Sequence, residues 1–196
     1  MTRLAVAGEC PDTLATLSTP QTRLMPLTEA RAPLIFQYYK ENLNHLFKWD
    51  AVANPSAHSI ETWLHYAQWA KQEYLDQKQV EFIATDHSET EMLALCSITD
   101  IKLAPYYSGD MGFSIAEKHE GKGIMFEVAQ KAVEFMFKEY GLHRLTATFH
   151  PDNLRSKALL ERLGFEREGY AKAYMQVGDM GWQDHVVMAL VNPDHT

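Results

Sequence analysis

Between Met125 and Met136 the apolar residues Met125, Val128, Ala129, Ala132, Val133 and Met136 recur at i, i+3, i+4, i+7, i+8 and i+11, the spacing of one helix face. A β-type run, Met111 to Ala116, leads into this helix through the turn Gly121-Lys122-Gly123, and a second run, His143 to Phe149, follows Gly141. Strand, helix and strand in that order make a crossover, which lays its two strands parallel in one sheet. The chain is therefore committed to a mixed architecture.

The rest of the pattern supplies neighbours for that sheet. Thr22 to Leu27 reads as a short strand. Leu34, Ile35, Tyr38 and Tyr39, and then Trp63, Leu64, Ala67, Ala70 and Tyr74, predict two amphipathic helices joined by a loop over roughly Asn44 to His58, which holds Trp49 and Pro55. Val80 to Thr85 and Met92 to Leu103 predict a meander continuing into Met111 to Ala116, broken at Asp86 to Thr90 and at Pro105 to Gly109. Asn153 to Leu163 reads as a shorter helix stopped by Gly164. Phe165 to Val177 and Trp182 to Val191 read as a hairpin around Gly178 to Gly181. The expected class is α+β, a mixed but mostly antiparallel twisted sheet flanked by helices. Residues 1–20, rich in Thr, Pro and Ala, read as an N-terminal extension, and 21–196 as one domain.

Composition removes several functions. With 26 acidic against 18 basic residues, a net charge of -8 and no Lys/Arg run, a direct nucleic-acid site is not expected. The negative field instead suits a basic partner, a protein N-terminus or a polyamine alike. No stretch of 18 or more apolar residues predicts a membrane span, and residues 1–20 lack the pattern of a signal peptide. The two cysteines, Cys10 and Cys96, form no disulfide framework, and a cytoplasmic location is expected. Nine histidines without a ligand spacing such as H-E-x-x-H predict no metal, and no G-x-S-x-G elbow is present.

Two stretches carry chemistry. In Met111-Gly-Phe-Ser-Ile-Ala-Glu-Lys-His-Glu-Gly-Lys-Gly-Ile-Met-Phe126 the glycines open a helix, so main-chain amides and the positive end of a helix dipole face an anionic group such as a phosphate. On spacing alone the same glycines serve equally a tight strand-to-helix turn. In His150-Pro-Asp-Asn-Leu-Arg-Ser-Lys-Ala-Leu-Leu-Glu-Arg-Leu-Gly-Phe165, Asn153 and Ser156 stand three apart and share a helix face, while Asn153 or Asp152 also suits a helix cap.

Taken together, these stretches, the W-x-D-H-V string at Trp182 to Val186 and the element order resemble the GNAT superfamily of N-acetyltransferases, and within it the RimJ/RimL branch that acts on ribosomal proteins. The resemblance spans roughly Thr22 to the end and implies transfer of acetyl from acetyl coenzyme A to an amine. It puts the family's Q/R-x-x-G-x-G/A cofactor loop on Glu120, Gly121, Lys122, Gly123, Ile124 and Met125, where Glu120 and Met125 depart from the pattern and the backbone amides remain. It further implies that the strands on either side splay to admit pantetheine, with the thioester near Phe113, Ser114 and Ile115 on one side and Thr148 to His150 on the other. Amides on the first of these strands would meet the acetyl oxygen where negative charge develops.

Where the wider family often carries an acidic Tyr, this chain has Leu160, so the resemblance assigns the leaving thiolate to Ser156 and the cofactor arm or acetyl group to Asn153. Tyr174 is a second candidate for the acid or for amine positioning, and equally a packed aromatic. Trp49, Tyr38 and His150 are candidates for the acceptor side, although helical spacing favours a core role for Tyr38 and Trp63. Cys96, within a strand, reads as a buried small hydrophobe. The expected reaction is direct attack by the α-amino group of a ribosomal protein beginning with alanine. About a tenth of such amines are neutral at pH 7, so a water chain ending at Glu120 or a carbonyl suffices as base. A small-molecule amine acetyltransferase and a non-catalytic acyl-coenzyme A-binding assembly factor are the alternatives, and the chain is expected as monomer or homodimer.

Overall fold

The computed structural model describes residues 14–49, 59–177 and 180–195. Two of the expected features, most of the loop after the first helix and the Gly178 end of the hairpin turn, lie outside the described residues. Among these residues eight strands and four α-helices follow in the order β1 (Leu17–Ser18), β2 (Arg23–Pro26), α1 (Ala32–Leu46), α2 (Ile60–Leu75), β3 (Val80–Thr85), β4 (Met92–Lys102), β5 (Ser108–Ile115), α3 (Ile124–Lys138), β6 (Arg144–Phe149), α4 (Leu154–Leu163), β7 (Glu166–Gln176) and β8 (Trp182–Val191). They form one sheet in the order β1-β2-β3-β4-β5-β6-β8-β7. Every neighbouring pair is antiparallel except β5 and β6, which α3 joins by a crossover.

Helices cover both faces. On one side Val128, Ala129, Ala132 and Met136 of α3 pack with Phe82, Ile98 and Leu145 of the sheet, joined by Leu160 of α4. On the other, Ile35 and Tyr38 of α1 and Trp63 and Ala67 of α2 pack with Leu27, Ile83 and Leu95. This two-sided cover explains why β3 is buried at every position rather than at alternate ones. Local signals set the helix ends. The Ser59 side chain accepts from Thr62 N at 3.3 Å to start α2, and Gly164, at φ 91°, ends α4 in the left-handed region.

Two details differ from the sequence expectation. The strand expected from Met111 begins at Ser108, because Ser108 to Asp110 pair with Arg144 to Thr146 in a contact distant along the chain. Within the expected extension, Leu17 and Ser18 pair with Leu24 and Arg23, and two residues are too few to carry a period.

Candidate active site

The crossover strands part soon after they meet. β5 and β6 pair at Ser108–Arg144, Gly109–Leu145 and Asp110–Thr146, after which β5 follows β4 to Ile115 while β6 follows β8 to Phe149. Ala116 donates its amide to Leu93 O at 2.9 Å. Antiparallel alternation then turns the amides of Ser114 and Gly112 toward β4 and those of Phe113 and Ile115 toward the opening. On the facing side, Asn192 donates to His143 O at 2.8 Å, and the same alternation turns the Thr148 backbone into the seam. Two hydrogen-bonding edges thus confront each other across a wedge, as an extended polar arm requires.

The wedge opens beside the start of α3. Gly121 and Gly123 adopt φ of 71° and 78°, a region that side-chain-bearing residues adopt only with strain, and an added Cβ at either would meet no atom of the described residues within 4 Å beyond its chain neighbours. Gly123 is the helix's N-cap and no side chain caps it, so first-turn amides are left for a ligand. The residues fit a diphosphate: bare amides, a helix N-terminus and free space in one place. Ile124 and Met125 are buried in the core and offer that site only their backbone. Lys122 turns its Nζ back to Lys118 O at 2.8 Å.

The turn ahead of this loop is braced from several elements. Asn42 of α1, buried, accepts from the Glu117 amide at 2.9 Å while its Nδ2 donates to Tyr38 O at 2.9 Å. The sequence analysis missed Asn42. Its signal is a polar residue at a core position, seven after Ile35 on the same face. Glu91 pairs with Lys118 Nζ at 2.7 Å and His119 Nε2 at 2.9 Å, and the Lys118 bond in particular holds the Glu91 carboxyl below its usual range. Glu120 lies between His45 Nε2, 3.3 Å away, and the Arg155 guanidinium. Through Arg155 the first turn of α4 is tied to the cofactor-type loop.

In that turn Asn153 is the N-cap, its Oδ1 accepting from Ser156 N at 3.1 Å. One acceptor position of the amide oxygen is therefore committed to the helix, while Nδ2 is left to direct elsewhere. Among the described residues the Ser156 hydroxyl has no hydrogen-bond partner.

The α1 side of the seam gathers aromatic groups. Tyr38 is a core ring, 2% exposed, whose hydroxyl lies 2.8 Å from Ser114 Oγ. It reaches the seam only through that hydroxyl rather than as a groove wall. Trp63, also buried, stacks on Tyr39 at 4.8 Å between ring centroids. Trp49 lies 5.6 Å from His150, centroid to centroid, so two acceptor-side candidates meet. Tyr174, the second candidate for the acid or for amine positioning, joins them through His185, a residue the sequence analysis quoted only within a motif. The His185 ring is 6.3 Å from that of His150 and 5.4 Å from that of Tyr174. Asp184 of the same motif accepts from Tyr170 Oη at 3.0 Å and Ala173 N at 2.8 Å, holding the bulge of β7 that presents Tyr174.

Burial pushes His185 below its ordinary range. The Gln183 carbonyl offsets part of this, and His150 adds to it. Cys96 is fully buried, its thiol pushed up to about 12 by desolvation, which fits the small hydrophobe expected there. Among the described residues no three His, Cys, Asp or Glu side chains gather as a metal site, and no helix is long and apolar enough to cross a membrane.

Comparison with known proteins converges on one family. Residues 21–166 match the acetyltransferase (GNAT) domain. The chain is 35% identical over 159 residues to the [ribosomal protein uS5]-alanine N-acetyltransferase of Escherichia coli, covering 81% of each protein. A crystal structure of the ribosomal-protein-S5-alanine acetyltransferase from Vibrio fischeri superposes with a TM-score of 0.87 at 26% identity, over 93% of this chain and 99% of that one. The fold is also that of Mycobacterium smegmatis RimJ in complex with CoA-disulfide, with a TM-score of 0.84 at 24% identity over 96% of this chain and 91% of the other.

Proposed function

The chain belongs to the GNAT acetyltransferase family, and from that premise we propose that it moves the acetyl group of acetyl coenzyme A to the α-amino group of a ribosomal protein beginning with alanine. The observation that carries this reading is the seam itself: the uncapped N-terminus of α3 opens beside a wedge edged by the Phe113 and Ile115 amides. A diphosphate held by the amides around Gly121 and Gly123 would send its pantetheine arm into that wedge as an extra strand.

Within the wedge the Phe113 and Ile115 amides would meet the carbonyl oxygen of the thioester as negative charge builds on it. The Ser156 hydroxyl would donate a proton to the departing sulfur, with Asn153 setting the turn that carries it. The amine would enter from the α1 side, past Trp49, His150 and Tyr174. An α-amine is partly neutral at neutral pH, so positioning supplies most of the acceleration and a strong base is not required. Glu120 is better placed to brace the loop than to take the proton, since His45 and Arg155 engage its two oxygens.

The name of the Escherichia coli relative supports an alanine acceptor, and a net charge of -8 suits a basic ribosomal protein. The test is coenzyme A release from acetyl coenzyme A with an alanine-starting ribosomal-protein peptide beside spermidine, products weighed by mass spectrometry. One added acetyl on the peptide α-amine, with spermidine slow, is expected. Spermidine preferred over every peptide would make this a small-molecule enzyme. Tight cofactor binding without thiol release on any amine would make it a binding protein.

A further inference from the structure

We propose that His185 is a positioning residue that holds Trp49, His150 and Tyr174 as one aromatic wall against which the first residue of the acceptor packs. This rests on the acetyl-transfer reading above and concerns the acceptor half of that site.

Three separate segments converge on His185. His150 follows β6 directly, and continuing the register that pairs Phe149 with Val186 by one residue sets it opposite His185, with the two rings 6.3 Å apart. Tyr174 follows the β7 bulge, and Trp49 follows α1 and reaches the group through His150. Of the four rings only that of His185 is enclosed, 1% exposed against 37% for Trp49 and 47% for Tyr174. It is the support, and the others are the surface.

Its protonation state follows from its contacts. His185 Nδ1 lies 3.3 Å from Gln183 O, an atom that can only accept, so Nδ1 carries the hydrogen of the neutral ring. The His150 Nδ1 accepts from the Asp152 amide at 3.2 Å, and its Nε2 faces Gln183 Oε1 at 3.4 Å. Gln183 therefore touches both histidines, one through its backbone and one through its side chain. The titratable groups around His185 are His150 just after β6, Tyr174 and Tyr170 from β7, and Asp184 on its own strand, with Lys172 beyond Asp184. Asp184 is committed to Tyr170 and the Ala173 amide. A proton added to His185 would put a cation in an enclosed position beside a second imidazole, and acid should loosen the wall.

The wall's faces are apolar and aromatic, so it fits a small uncharged first side chain and the body of the amine rather than a carboxylate. The test compares His185→Leu, which fills the space, with His185→Asn, which keeps a donor for the Gln183 carbonyl. Acceptor KM and kcat are measured between about pH 5.5 and 8, and coenzyme A affinity by calorimetry.

His185→Leu should raise acceptor KM about tenfold while coenzyme A affinity changes less than about twofold. His185→Asn should recover part of that loss. Protonation of the peptide amine affects all variants alike, so the ratio of wild-type to His185→Asn acceptor KM isolates the ring. That ratio should climb as pH falls. Unmoved acceptor KM in both variants, a flat ratio, or equal loss of coenzyme A binding would overturn the inference while leaving the acetyl-transfer reading intact. A wild type that acetylates no amine would overturn both.

Discussion

The Tyr38 hydroxyl lies 2.8 Å from Ser114 Oγ, so a core ring of α1 reaches the strand whose neighbouring amides, at Phe113 and Ile115, face the open seam. Tyr38 also carries the carbonyl to which Asn42 donates, and Asn42 in turn holds the Glu117 amide ahead of the glycine loop. One turn of helix therefore sets both the edge and the mouth of the wedge. Tyr38→Phe should lower stability by about 1 kcal/mol in urea unfolding and reduce kcat several-fold. Ser114→Ala should do much the same, and the double variant should lose little more than either alone. Fully additive losses would show that the two hydroxyls do not act together.

Gly123→Ala would put a side chain where φ is 78° and where, among the described residues and its chain neighbours aside, no atom stands within 4 Å of the new Cβ. The strain should cost about 1–2 kcal/mol. A methyl group directed at the proposed diphosphate site should weaken coenzyme A at least about tenfold, read by calorimetry. Lost stability with unchanged affinity would detach this loop from the cofactor.

Ser156→Ala removes a hydroxyl without a hydrogen-bond partner among the described residues from a turn already capped by Asn153. Folding should be untouched, coenzyme A affinity should stay within about twofold, and turnover should fall at least about tenfold, as expected of a group that gives a proton to the leaving sulfur. Unchanged turnover would take Ser156 out of the chemistry.

Glu120→Gln weakens the ties to both His45 and Arg155, whereas Arg155→Ala breaks one of them from a side chain that is mostly in solvent. The arginine variant should therefore shift stability by less than about 1 kcal/mol, and less still in high salt. The glutamine variant should raise the KM for acetyl coenzyme A more than it lowers kcat. A large loss confined to kcat would instead make Glu120 the proton acceptor.

Cys96, with its thiol pushed up to about 12, has roughly one group in ten thousand ionised near pH 8. Peptide mapping after brief alkylation of the native protein should find it unmodified, and labelled only after denaturation. Native labelling at that position would mean that β4 opens readily.

What could be read without coordinates was whatever one short window contains. The stripe Met125 to Met136 and the glycines at 121 and 123 predicted the crossover helix and its entrance, because helix periodicity and left-handed turns are local. His185 was hidden for the opposite reason. Its importance depends on the β6–β8 register and on a bulge in β7, relations between segments that no single window holds. Asn153 illustrates a third case. A cap and a ligand-facing amide look the same in sequence, and only the 3.1 Å contact to Ser156 N commits its oxygen to the helix.

Three register pairs join β5 to β6, and Tyr107 O accepts from the His143 and Arg144 amides just ahead of them. Stiffening that junction with further pairing would close the very gap in which we propose that the donor lies, so gains in rigidity would then have to come from the outer strands and the helical layers. On the proposed reading the line along which the sheet parts is also its working line, and its occupant would serve as reagent and as temporary mortar between two halves of the sheet.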